Sequence, residues 1–218
     1  MSKEISKTQK ALNLWAVILI IWSIYRANFK MPDWFDEFLA KPLIFILPVY
    51  YYIIKIEKKS FFKEMYLGKK QVVKDLIIGL GIGGLFLLSA IFGNFIKYKK
   101  FIFFPTPLAT DKILFFSLMA LATGISEEIL SRGFVLKKLY EESKNILTAS
   151  FFASLLFFFL HVPMLFTNIK ITGNLLLLFM VTDICLSLVL SFIYLSRKSL
   201  ILPILIHAFY NLVIVLFI

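Results

Sequence analysis

Seven runs of apolar residues divide the chain, near Ala11–Ala27, Pro42–Ile56, Val72–Ile96, Ile113–Val135, Ile146–His161, Leu175–Leu195 and Leu200–Phe217. A helix of roughly 20 apolar residues matches the ~30 Å hydrocarbon core of a bilayer. Inside hydrocarbon, a helix satisfies its own backbone polar groups, as such runs require. The runs predict an all-α polytopic transmembrane helical bundle of about seven to eight spans, with residues 1–218 as one domain. Composition agrees: 60% of the 218 residues are hydrophobic and the mean hydropathy is +0.88, against about 45–50% apolar in soluble domains.

The second run is short and contains Pro48, so a kink or dependence on neighbouring helices is expected there. The third carries Gly79, Gly81, Gly83 and Gly84, which would let another helix approach closely. The same glycines spell a dinucleotide fingerprint, but no strand precedes them and no βαβ unit surrounds them, so that reading is set aside. The first run follows Lys3, Lys7 and Lys10 and lacks a small-residue cleavage site, as expected of a retained signal anchor.

With the N-terminus inside, the cytoplasmic loops would be 57–71, 136–145 and 196–199. They hold Lys58, Lys59, Lys63, Lys69, Lys70, Lys137, Lys138, Lys144, Arg197 and Lys198. The opposite side holds fewer, chiefly Arg26, Lys30, Lys41, Lys97, Lys99, Lys100, Lys112 and Lys170. This bias favours a cytoplasmic N-terminus, although Lys97–Lys100 run against it. Within 57–71, Ser60–Lys70 reads as an ordinary positive loop, with an interfacial stretch on the membrane as the alternative. The net charge of +11 would suggest nucleic acid in a soluble protein. Here it is better explained by orientation and anionic membrane lipids, and no nucleic-acid partner is expected. The excess of Lys over Arg, with abundant Ile and Phe, points to an A·T-rich bacterial genome and a multi-pass cell-membrane protein. Cys185 stands alone, which excludes an internal disulfide and a cysteine-cluster metal site.

Ionisable residues inside apolar runs are costly and tend to be functional. The fourth run carries Glu127, Glu128 and Arg132. Neighbours on a helix diverge by about 100°, so the carboxylates cannot share a face. Arg132 lies four residues after Glu128, in the order that favours pairing. Glu127 is then left to hold and deprotonate a water, as a general base would. The bland alternative is a charge cluster at a membrane edge. The chain's two histidines lie in two further runs. His161 ends the fifth, one turn after Phe157, which could wall it from lipid. A lone histidine there is as readily a partner of the helix dipole. His207 and Asn211 are four apart in the last run and project from one face. That pair reads as a site that holds a polar group or an oxyanion, or as an interhelical hydrogen bond. Asp183 sits mid-span in the sixth run, a candidate functional or merely hydrogen-bonded carboxylate. Asp183→Asn is expected to leave activity largely intact.

Glu127-Glu128-xxx-Arg132, Phe157-xxx-His161 and His207-xxx-Asn211, in that order, resemble the motifs of the CPBP family of intramembrane proteases. That family includes the type II CAAX prenyl endopeptidases and bacteriocin-processing or immunity relatives. The motif-bearing core runs from about residue 110 to the C-terminus; the first half is alike only in being hydrophobic. The resemblance implies hydrolysis of a peptide bond in a membrane-associated or lipid-modified peptide. Glu127 would activate water, while Glu128 and Arg132 position the helix and tune charge. His161 and His207 would hold the water or oxyanion, and Asn211 would complete the transition-state pocket. Cofactor content stays open: Glu127, His161 and His207 suit a zinc ion with one free position, or a metal-free glutamate-base site. Two competing functions are a non-catalytic bacteriocin self-immunity or peptide-binding membrane protein, and a small cation-coupled transporter using Glu127, Glu128, His161 and Asp183 as a relay.

Overall fold

The computed structural model describes residues 5–68, 71–100, 110–167 and 173–217. Of the lysines weighed above, Lys3, Lys69, Lys70 and Lys170 lie outside them. All seven apolar runs are helices, and there is no strand among the described residues. We number them α1 (Lys7–Asn28), α2 (Asp33–Ile56), α3 (Val72–Tyr98), α4 (Thr110–Glu128 continued by Ile129–Leu136 and Lys137–Ser143), α5 (Ile146–Thr167), α6 (Gly173–Arg197) and α7 (Ile201–Phe217). The first six contain segments long and apolar enough to cross a membrane, and α7 is a shorter apolar helix of 17 residues. Large apolar side chains remain exposed along them, such as Ile77, Leu80, Leu85, Leu88 and Phe92 on α3. A helix that is apolar on all sides suits lipid on its outer face and protein on its inner one.

Several elements differ from the sequence expectation. α2 begins at Asp33, nine residues before the apolar run, so Glu37 and Lys41 are helical. It contains wide π turns over Asp36–Ala40, Pro42–Ile46 and Tyr52–Ile56. Pro42 and Pro48 each lack an N–H donor, and the helix accommodates them by local widening rather than a break. α5 runs on through Pro163 to Thr167, so His161 lies within the helix and not at its end.

The loop readings also change. Over its described part Ser60–Lys70 is not a free loop but is partly docked on the bundle. Phe61–Glu64 is a short helical turn with Phe61 and Glu64 buried, and Met65 packs where a side chain on Gly133 would stand. Lys137 and Lys138 are helical and buried rather than in a loop. Lys137 Nζ donates to the Glu64 carbonyl at 2.6 Å, and Lys138 Nζ lies 2.8 Å from Glu57 and 3.3 Å from Glu64. Burial alone would raise the Glu64 carboxyl, but a hydrogen bond from Lys59 and the charges of Lys137 and Lys138 hold it down at about 2. Ser6 and Thr8 bond to Glu142 and to the Lys138 carbonyl. The N-terminal end of α1, the 57–65 segment and the end of α4 therefore share one end of the bundle.

α7 packs along both α3 and α4. Gly79 and Gly83 of α3 face Leu205 and Phe209 of α7, whereas Gly81 and Gly84 meet nothing within 4 Å. The glycine that matters most to the site is Gly124 on α4. A Cβ there would lie 3.0 Å from the Ile204 carbonyl oxygen and 3.5 Å from the Ala208 nitrogen, both α7 backbone. This close approach brings His207 up to the Glu127–Glu128 level. Gly124→Leu should force the helices apart and lower stability by about 1–3 kcal/mol, the usual cost of overpacking. Gly81→Leu is the control and should melt like wild type in detergent; equal melting of the two variants would contradict the close packing.

Candidate active site

Glu127 and Glu128 are buried and adjacent on α4, where its α turns give way to the π stretch Ile129–Leu136. They leave the helix on different sides. Glu128 Oε1 accepts a hydrogen bond from Arg132 Nη1 at 2.7 Å and lies 2.8 Å from His207 Nδ1. Arg132 is itself fully enclosed. Its Nη2 donates to the Ser187 carbonyl of α6 at 3.2 Å, and its guanidinium stands 4.3 Å from the Phe157 ring centre of α5. The expected Glu128–Arg132 pair therefore exists, and it ties four helices together.

Glu127 faces the other way. Its Oε1 receives Lys41 Nζ at 2.8 Å. Lys41 also donates to Glu37 Oε1 at 2.7 Å, and Glu37 Oε2 accepts from Thr123 Oγ1 at 2.5 Å. Glu127 Oε2 is buried with no hydrogen-bond partner. It lies 3.5 Å from His161 Nε2 and 3.7 Å from His207 Nε2. The sequence left Glu127 wholly free; instead, one carboxylate oxygen is committed to a lysine and the other is presented to two imidazoles.

Each imidazole is held from behind. His207 Nδ1 has Glu128, as above. His161 Nδ1 has the Phe157 carbonyl at 3.3 Å and Asp183 Oδ2 at 3.5 Å. The Phe157 ring centre lies 4.8 Å from that of His161 and 5.8 Å from that of His207, edge-on to both, so it walls both imidazoles. Trp22 of α1 donates to the Leu160 carbonyl at 3.2 Å and pins α5 one residue before His161. Tyr210 donates to Thr182 at 2.9 Å, joining α7 to α6 beside Asn211 and Asp183.

Lys41, Glu127, His161, Asp183 and Asn211 line a cavity of about 430 Å³ with apolar residues such as Phe45, Phe116 and Phe179, while His207, Glu128, Arg132 and Phe157 stand behind its wall. Arg26, Asp33, Asp36 and Glu37 also border it, with Arg26 and Tyr25 both bonded to Asp36. Glu127, Glu128, Arg132, His161 and His207 thus come from α4, α5 and α7 into one cluster, and Asn211 of α7 shares the cavity wall with Glu127 and His161. Sequence reasoning missed Lys41 and Glu37. The signal was present, since a Glu four residues before a Lys is a helix pairing pattern, but a hydropathy window that starts at Pro42 discards it.

As for a metal ion, no group of three His, Cys, Asp or Glu among the described residues is arranged to hold one. The cation that Glu127 does hold is the Lys41 ammonium.

The fold and site define a class of polytopic helical protein, a bundle of apolar helices with a buried carboxylate–imidazole cluster beside a largely apolar, partly open cavity. Residues 109–213 match the family model for Rce1-like type II CAAX prenyl endopeptidases, so this region of the chain is similar to that family. The matched region contains all seven motif residues but neither Lys41 nor Glu37. No curated protein and no solved structure matches the chain.

Proposed function

We propose that this protein is an intramembrane endopeptidase, formed by residues 1–218 as one transmembrane domain, that hydrolyses a peptide bond in a membrane-associated or lipid-modified peptide. The observation that carries the reading is the buried, unpartnered Glu127 Oε2, which faces two imidazole nitrogens at 3.5 and 3.7 Å, with Glu127 and His161 on the cavity wall and His207 behind them. A buried polar atom without a partner costs about 1–3 kcal/mol. Such an atom at the focus of two histidines suits a site organised around a small polar reactant.

In this reading Glu127 Oε2 takes a proton from water as the water oxygen bonds to the scissile carbonyl carbon. Lys41 holds the other carboxylate oxygen and leaves Oε2 to face the water. His161 and His207 hold the water and then the oxyanion, and the Asn211 amide donates to that oxyanion. As the C–N bond breaks, the proton on Glu127 passes to the departing amine. Glu128 and Arg132 position His207 and the helix and do not touch the substrate.

The location supported by the fold and family is a multi-pass membrane. The clustering of Lys7, Lys59, Lys63, Lys137 and Lys138 at one end favours a cytoplasmic N-terminus. The test is cleavage in reconstituted vesicles of a library of membrane-anchored and lipidated peptides, read by mass spectrometry. His207→Ala removes one of the two facing nitrogens and should lower turnover by about 100-fold or more. Wild-type turnover by His207→Ala at matched protein level would overturn the assignment.

A further inference from the structure

The two imidazoles are arranged alike, and the likeness assigns a role to a residue outside the matched motifs. His207 has Glu128 on Nδ1 and turns Nε2 to Glu127; His161 has Asp183 near Nδ1 and turns Nε2 to the same Glu127 oxygen. Asp183 Oδ2 is enclosed and has no hydrogen-bond partner, although it sits mid-helix on α6. An unpaired carboxylate oxygen inside a membrane bundle is too costly to be casual. The Thr182–Tyr210 bond holds that turn of α6 against α7.

We infer that Asp183 is the positioning residue for His161, doing for that imidazole what Glu128 does for His207. Both neighbours of His161 Nδ1, the Phe157 carbonyl and the Asp183 carboxylate, can only accept a hydrogen bond while Asp183 is ionised. The ring proton therefore belongs on Nδ1, which leaves Nε2 fixed and aimed at the reactant held by Glu127. Carbonyl and carboxylate together set both the tautomer and the ring orientation. Asp183 itself need not touch the reacting atoms. This replaces the sequence-based expectation that Asp183→Asn is largely silent. The structural role stands on the geometry alone; its catalytic consequence rests on the endopeptidase reading.

Because the chain has only two histidines, ¹⁵N-histidine labelling of the full protein in lipid nanodiscs yields two imidazole spin systems. Glu128→Gln should perturb one of them and Asp183→Asn the other. Asp183→Asn should shift the His161 ring nitrogens away from a pure Nδ1–H pattern and leave His207 unchanged. In the cleavage assay, it should lower kcat by about 10- to 100-fold, with KM within about twofold and Asp183→Glu partly restoring kcat. Unchanged His161 resonances in Asp183→Asn would overturn the proposal whatever the cleavage assay shows. So would a raised KM with kcat intact, which would make Asp183 a substrate contact. Shifted His161 resonances with no cleavage by any form, wild type included, would support the positioning role and count instead against the endopeptidase reading.

Discussion

Glu127→Gln should accumulate in membranes like wild type and lose about a thousandfold in peptide turnover. The substitution is nearly isosteric. The glutamine oxygen can still accept from Lys41, as Glu127 Oε1 does at 2.8 Å, so the link between α2 and α4 survives. What disappears is the free carboxylate oxygen between His161 and His207. An amide cannot take a proton from water, and a positioned general base typically contributes about 10²–10⁴-fold. If the NH₂ group faces the imidazoles, it also donates where the wild-type oxygen accepts. Turnover within tenfold of wild type, at equal abundance, would remove Glu127 from the chemistry and leave a binding or immunity protein as the better account.

Arg132→Met should have the opposite signature, a loss of the folded protein itself. Arg132 is among the largest fully buried side chains and joins Glu128, the Ser187 carbonyl and the Phe157 face. Methionine fills similar volume but strands Glu128, which is completely enclosed and would keep only His207 Nδ1 at 2.8 Å as a partner. Breaking one side of a buried ion pair costs about 3–5 kcal/mol, a large share of the 5–15 kcal/mol typical of a folded domain. Steady-state abundance and thermal melting in detergent both report it. Arg132→Lys should recover little, because an ammonium cannot fork between a carboxylate and a carbonyl while lying on an aromatic face. Melting of Arg132→Met at the wild-type temperature would show that the Glu128–Arg132 pair carries no structural weight.

Much of this architecture was legible from periodicity and charge alone. The positions of the seven helices follow from where apolar residues accumulate. The split between Glu127 and Glu128 follows from helical geometry, and the Glu128–Arg132 bond from their spacing of four. What spacing could not supply is which helix stands beside which. Asp183 and His161 are separated by 22 positions and meet only because α5 and α6 pack side by side; Lys41 and Glu127 are 86 apart. Lys41 was also hidden by the logic of hydropathy, which treats a charge as the edge of a span, whereas here the charge is carried inward because two glutamates receive it. Lys137 and Lys138 misled for the same reason. They look like loop lysines but are buried by the docked Phe61–Met65 segment, whose acidic partner Glu64 comes from a distant part of the chain.

The central claim is that the Glu127 centre adds water to a peptide bond. The most direct measurement is cleavage of a membrane-anchored peptide by the reconstituted protein in H₂¹⁸O, with mass spectrometry of the newly formed C-terminus. The wild type should place one ¹⁸O atom in that carboxylate at each turnover, and Glu127→Gln at equal abundance should form about a thousandfold less of this product. Labelled product formed equally by both proteins would contradict the claim.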